Sequence, residues 1–217
     1  MQQITKALDK NDRSCYYRTM SKGKQTYQAI VNQALSDAVA VGLEDISLGT
    51  LASSLKLSKS GLFAHFKSKQ QLQLAVFEEA VARFKRQVIA PALNNASGVA
   101  RLRALFEAWL DWIEGDAQMK GCLFVVMSTE YADRPGVLRA KLAAYMRDWR
   151  GLLERTVKQA IEAGEMDTQA QPEQVASEII GIALAFHQSS KLLDDADARR
   201  RAVAAFNRLI SQGASVQ

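Results

Sequence analysis

Residues 57–72, LSKSGLFAHFKSKQQL, combine basic side chains with apolar side chains at helical spacing. Leu62 and Phe66 are four positions apart, so they lie on one face of a helix and can pack against a neighbour. The lysines fall on other faces, where they can meet a polyanion. A short helix of this kind suits either contact with DNA or a solvated amphipathic helix pair.

The first turn of this helix carries the residues that could read DNA bases. Ser60 and Gly61 are small, so the backbone can come close to a base edge, and Lys59 can donate to a guanine acceptor or to a phosphate. A helix presented N-terminus first fits the major groove. Lys59, Ser60 and Gly61 are therefore candidates for contact with bases if this helix binds DNA.

Helical segments surround this one on both sides. Apolar residues recur every three or four positions from residue 24 to Gly42, and Ser47, Ser58 and Ser68 suit the N-caps of three further helices. Two short helices with a tight turn between longer ones predict a helix-turn-helix unit. Helical stripes continue to Gly213 and strand signals are nearly absent, so the expected fold is all-α with about nine helices.

Positive charge is concentrated at the front of the chain. Residues 1–90 carry 13 Lys or Arg and 7 Asp or Glu, a net +6, whereas residues 91–217 have a net charge of −1. This asymmetry indicates that only the front meets a polyanion. We predict a flexible arm over residues 1–21, a helix-turn-helix domain over 22–70 that is a candidate for DNA binding, and a second helical domain over 71–217.

Residues 24–72 resemble the DNA-binding head of the tetracycline-repressor (TetR) family of transcription regulators. The shared features are an alanine-rich first helix, a glycine, a Ser/Thr cap, an alanine in the second helix, a second serine cap, and an aromatic residue followed by His-Phe and Lys-Ser-Lys. These features fall at Gly42, Ser47, Ala52, Ser58, Gly61, Phe63, His65, Phe66, Lys67, Ser68 and Lys69. The rear half resembles the variable ligand-binding and dimerisation domain of the family more loosely, which implies an effector-binding and dimerisation domain over residues 71–217.

The resemblance implies phosphate contacts at several positions, in addition to base reading at the start of the third helix. The implied phosphate-contacting residues are Ser47, Thr50, His65 and Lys69. Phe63 stands at a phosphate-facing position where the family usually has tyrosine, so a hydroxyl bond is lost there. Lys56 stands where glycine or alanine is usual, and it either adds a phosphate contact or is solvated.

Bulky residues of the rear half lie on faces expected to point inward. Because they are many and carry few polar atoms, we predict a pocket for an apolar or aromatic effector, although ordinary core packing is the alternative for each residue. His187 can equally be a hydrogen-bonded core histidine. The predicted pocket residues are Trp109, Phe124, Met127, Tyr131, Tyr145, Trp149 and His187.

A stripe of small residues runs along the penultimate predicted helix at intervals of four. Ser177, Gly181 and Ala185 belong to it, and a second helix could approach closely there. With Phe206 and Leu209 of the last helix, the stripe is predicted to form a four-helix seam with a partner subunit. Packing within one chain is the alternative.

Signatures of catalysis are missing from the sequence. It has no glycine-rich phosphate loop, no HExxH, no nucleophile elbow and no Cys/His metal spacing, so no catalytic residue, metal or cofactor is predicted. The start lacks the apolar core of a secretion signal, and no apolar run is long enough to cross a membrane. A cytoplasmic protein without membrane contact is expected.

These features together predict a homodimeric, ligand-responsive regulator of transcription. The protein would act as a repressor that a small apolar or aromatic effector releases from a near-palindromic operator in double-stranded DNA. The alternative is a helical small-molecule sensor or carrier whose head no longer binds DNA.

Overall fold

The computed structural model describes residues 21–94, 97–115 and 121–211. Nine helices and no strand occur in those ranges, which confirms the predicted all-α fold class. The predicted flexible arm lies outside the described residues except for Ser21. The predicted boundary between the two domains stays a prediction.

The first four helices form the head and its connection to the rear of the chain. They are α1 Lys22–Val41, α2 Leu48–Ser54, α3 Lys59–His65 and α4, which begins as Lys69–Phe84, continues through a π-helical segment Lys85–Ile89 and ends with the turn Ala90–Leu93. The hydroxyls of Ser47, Ser58 and Ser68 accept from the backbone N–H three residues on, at 3.4, 3.0 and 3.2 Å. The predicted serine caps therefore start three consecutive helices.

The turn between α2 and α3 closes with a pair of backbone hydrogen bonds. The Leu57 N–H donates to the Ala52 carbonyl at 2.8 Å, and the Lys56 N–H donates to Ser53 at 3.1 Å. This pattern is a Schellman motif, in which the residue at the position of Lys56 takes a left-handed conformation. Lys56 has a φ of 53°, so a lysine occupies a position that favours glycine.

Five helices form the rear body. They are α5 Val99–Glu114, α6 Leu123–Tyr131, α7 Val137–Glu162, α8 Pro172–Lys191 and α9 Ala198–Ser211. Helix α8 packs against α5, α7 and α9, whereas α6 packs against α7 and against α1 of the head. Buried apolar residues form one continuous cluster from Ile30 in the head to Ile210 in the body. None of the helices in the described ranges is both long and apolar enough to cross a bilayer.

Candidate DNA-binding head and ligand cavity

The predicted base-reading residues lie at the exposed start of α3. Lys59 and Ser60 are exposed, and Gly61 is half-buried. The Ser60 hydroxyl lies 3.0 Å from the Ser58 hydroxyl, whose oxygen also accepts from the Gly61 N–H. The inner side of the same helix is fixed by Leu62, which is buried in the core. Helix α3 thus presents its first turn outward while its apolar side is anchored.

An aromatic contact that the sequence reasoning missed holds the end of α3 against α1. The rings of Tyr27 and Phe66 stack with centroids 4.9 Å apart, and Tyr27 also meets His65 edge-on at 6.4 Å. His65 is therefore half-buried, whereas Phe63 is 45% exposed. The sequence feature that could have indicated this contact is Tyr27, an aromatic residue one turn before the apolar stripe of α1.

The remaining predicted phosphate-contacting residues lie at the starts of α2 and α4. Ser47 and Thr50 are exposed and share the N-cap hydrogen bond of α2. Lys69 is exposed at the start of α4, but its Nζ lies 3.6 Å from Glu44 Oε2 and also donates to the Glu44 carbonyl oxygen. Lys69 therefore has an internal partner that the sequence did not reveal.

Glu44 joins this lysine to the body. The Tyr131 hydroxyl at the end of α6 donates to Glu44 Oε1 at 2.5 Å. That hydrogen bond is the main cause that lowers the pKa of the Glu44 carboxyl, with Gln73 and Lys69 adding to it against the effect of burial. Glu44 is thus a charged link between α6 and α4.

A second contact connects α6 to the loop between α1 and α2, which contains Glu44. Glu130 Oε2 accepts from the Leu43 N–H at 3.0 Å, and the Gln73 side chain donates to the Leu43 carbonyl at 3.1 Å. Gly42 has a φ of 98°, and a Cβ there would come within 2.0 Å of the Glu130 carboxylate. Gly42 is therefore required both by its backbone conformation and by the close approach of α6.

A cavity of about 280 Å³ lies in the body between α4, α5, α6, α7 and α8. Four of the seven predicted pocket residues line it, namely Trp109, Phe124, Tyr145 and Trp149. The other lining residues are Phe84, Cys122, Val125, Ser128, Thr129, Met146, Ile180 and Leu184. Aromatic rings meet edge-to-face in its wall, with Trp149 centred 5.1 Å from Phe84 and 5.2 Å from Trp109.

Three predicted pocket residues do not line the cavity. Met127 lies on α6 and is fully buried in the hydrophobic core. Tyr131 is turned toward the head by its hydrogen bond to Glu44. His187 is half-buried, and burial, with a smaller effect from Lys191, lowers its pKa. These three side chains therefore lie outside the lining of this cavity, and for Tyr131 the cause is a contact distant in sequence.

The cavity wall contains few polar groups. Burial raises the pKa of Cys122 and raises the pKa of Tyr145 well above its usual range, so both groups stay protonated at neutral pH. The Tyr145 hydroxyl and the Trp149 indole Nε1 are buried and make no hydrogen bond to a described residue. Such a wall suits an apolar ligand.

The residues predicted for a subunit interface divide into two groups. Ser177, Gly181 and Ala185 are exposed on one side of α8, and nothing lies within 4 Å of a Cβ built on Gly181. Phe206 is instead fully buried and stacks on Phe106 of the same chain at a centroid distance of 4.3 Å. Its assignment to an interface was wrong, whereas Leu209 is only partly buried.

The described residues thus combine an exposed helix-turn-helix head with a body that contains an apolar cavity, which is the organisation of one-component helical DNA-binding regulators. A family profile described as "Tetracyclin repressor-like, C-terminal domain" matches residues 98–206, half of the chain. The chain belongs to the tetracycline-repressor (TetR) family of transcriptional regulators.

Similar proteins agree with this assignment. The Transposon Tn10 TetC protein of Escherichia coli is 28% identical over 90 residues, 42% of this chain and 45% of TetC, so less than half of that relative is matched. The structure of a TetR transcriptional regulator from Chloroflexus aurantiacus J-10-FL has a TM-score of 0.78 at 23% identity. The match covers 88% of this chain and 96% of the regulator's chain. AibR in complex with isovaleryl coenzyme A and operator DNA has a TM-score of 0.68 at 23% identity, with 86% and 96% covered.

Proposed function

We propose that the protein is a homodimeric repressor that leaves its operator when a small apolar or aromatic molecule enters the cavity. The observation that carries this proposal is the double role of α6. Its residues Phe124 and Ser128 line the cavity, and its last residues Glu130 and Tyr131 bind the loop that precedes α2. A change in the cavity wall would therefore alter the contacts that hold the head loop against α6.

The DNA-binding part of the proposal rests on the exposed first turn of α3. Lys59, Ser60 and Gly61 would contact base edges, while Ser47, Thr50, Phe63, His65 and Lys69 would lie along the phosphates. Two such heads, held about 34 Å apart, would enter successive major grooves on one face of the duplex. A two-fold axis between the subunits would then require a near-palindromic operator.

Dimerisation is supported by the outward face of α8. Ser177, Gly181 and Ala185 leave a shallow strip with no bulky side chain, which a helix of a second copy could approach closely. Leu192 and Leu193, just after α8, are 71% and 64% exposed, and a partner subunit would cover them. Leu209 would extend the seam along α9.

Release by a ligand requires the two states of the protein to differ in their affinity for it. The coupling free energy of such systems is typically about 1–3 kcal/mol, which changes DNA affinity roughly 5- to 150-fold. AibR, which shares the fold, was solved with both isovaleryl coenzyme A and operator DNA. That complex supports the proposal that the present chain also responds to a ligand.

Selection of bound sequences from random duplexes tests the DNA-binding part. We expect a near-palindromic motif, and Lys59→Ala should relax the preference for its central bases by about 1–3 kcal/mol. Lys158→Ala is the matched control, because Lys158 is an exposed lysine of α7 in the body. An unselective pool with the parent protein would instead favour a carrier whose head no longer binds DNA.

Glu130→Ala tests the role of α6. A ligand found by screening for a raised melting temperature should weaken DNA binding by the parent protein. The variant should still bind both partners, but the ligand should shift its DNA affinity much less, because the hydrogen bond to the head loop is gone. Equal shifts for both proteins would refute transmission through this contact.

A further inference from the structure

Two side chains of the cavity wall carry buried hydrogen-bond donors that have no partner in the described part of the chain. The Tyr145 hydroxyl and Trp149 Nε1 are both buried, and neither has a partner among the described residues. Both side chains belong to α7 and line the cavity, four positions apart on one face of the helix. Buried donors of this kind are normally satisfied, so they indicate where an acceptor on a ligand would bind.

The rest of the wall limits the charge of that ligand. None of the twelve residues that line the cavity is an acid, a lysine, an arginine or a histidine. A carboxylate or an ammonium group would lose its hydration without gaining an opposite charge. Because the Tyr145 hydroxyl keeps its proton at neutral pH, it can donate to a neutral oxygen.

The size and shape of the cavity limit the ligand further. An apolar cavity of about 150 Å³ in a protein core accommodates one benzene ring. The present cavity of about 280 Å³ has roughly twice that volume. Phe84, Trp109 and Phe124 form an aromatic wall, which favours edge-to-face contact with a flat ring system.

We propose that the cavity binds neutral bicyclic aromatic molecules that carry one acceptor oxygen, and that this oxygen accepts hydrogen bonds from Tyr145 and Trp149. A carbonyl oxygen has two lone pairs and can satisfy both donors at once. This inference rests on the proposed role of the cavity as the effector site and specifies the chemical class of the effector.

Three naphthalenes that share a ring system test the proposal by calorimetry on the full chain. They are 2-acetylnaphthalene, 2-ethylnaphthalene, which replaces the carbonyl by a methylene group, and 2-naphthoate, which adds a charge. We expect 2-acetylnaphthalene to bind roughly ten-fold more tightly than 2-ethylnaphthalene, the value of one to two neutral hydrogen bonds. The naphthoate should bind most weakly.

Tyr145→Phe removes the hydroxyl and keeps the ring. The variant should lose most of the preference for 2-acetylnaphthalene over 2-ethylnaphthalene. Thr156→Val is the matched control, because Thr156 is a buried hydroxyl of the same helix that does not line the cavity and donates to the Leu152 carbonyl at 2.8 Å. This control should keep the full preference.

Several outcomes would overturn the proposal. They are equal affinities for the acetyl and ethyl compounds, tightest binding of the naphthoate, a preference that survives Tyr145→Phe, and no binding of any of the three. A separate DNA assay distinguishes a failure of the proposed function. If 2-acetylnaphthalene binds in the expected order but never weakens DNA binding, the ligand class stands and the effector role fails.

Discussion

Replacing Lys69 with alanine separates the two roles that this lysine can have. In the structure its Nζ lies 3.6 Å from Glu44 Oε2, and the two side chains are 43% and 33% exposed. An exposed ion pair of this kind contributes less than about 1 kcal/mol to folding. If Lys69 also contacts a DNA phosphate, its loss should be much more evident in DNA binding than in stability.

The size of that effect follows from counterion release. Each phosphate contact adds about 0.9 to the slope of log K against the logarithm of the salt concentration. A dimer carries Lys69 twice, so Lys69→Ala should flatten the slope by about 1.8. Between 50 and 200 mM salt, the parent protein should therefore lose roughly 12-fold more affinity than the variant.

The assay is fluorescence anisotropy with a labelled duplex at several salt concentrations, accompanied by urea unfolding. Lys158→Ala, which removes a lysine from the body, should leave the slope unchanged. Glu44→Gln should raise DNA affinity modestly, because it removes the carboxylate that competes with phosphate for Lys69. If Lys69→Ala lowers the free energy of unfolding but leaves the salt slope unaltered, Lys69 serves only as the partner of Glu44.

Three further changes test other parts of the molecule. Gly181→Leu fills open space on α8, so it should leave the fold intact but shift the dimer toward monomer in sedimentation, whereas Gly23→Leu, also in open space, should not. Burial lowers the pKa of His187, so this residue favours the folded state above about pH 6.5, and that contribution is lost as the pH falls below this value. In His187→Asn, the urea midpoint should therefore depend less on pH between pH 7 and 5. Lys56→Gly should stabilise the protein by up to about 1 kcal/mol in urea unfolding, because it relieves a left-handed lysine.

The head could be predicted from the sequence because its signals are local. Each serine cap lies three residues from the N–H that it accepts, and the apolar positions of each helix repeat within a few turns. Lys56 is the instructive exception. Its departure from the usual small residue was visible in the sequence, but the left-handed conformation that explains the usual glycine emerged only with the Schellman hydrogen bonds.

The body was less predictable because long-range contacts choose which face of a helix points inward. Helix α6 is apolar almost all round, so its pattern gave no preferred face, and Tyr131 was assigned to the pocket. A hydrogen bond to Glu44, 87 positions away, turns it toward the head instead. Phe206 shares a stripe with Leu209, and only its stack on Phe106 reveals that it belongs to the core.

The hydrogen bond between Tyr131 and Glu44 also connects a helix of the cavity wall to the loop before α2. Helix α6 has nine residues and is about 13 Å long, so Phe124 and Tyr131 lie about two turns apart on one helix. Because both residues belong to this helix, we expect a ligand that displaces Phe124 to displace Tyr131 as well, and with it the Glu44 carboxylate that accepts the Tyr131 hydrogen bond. Because Glu44 also holds Lys69, any such displacement changes how freely Lys69 can reach a phosphate. We therefore expect variants of Tyr131 to change two properties together. These are the loss of DNA affinity that the ligand causes and the salt dependence of DNA binding.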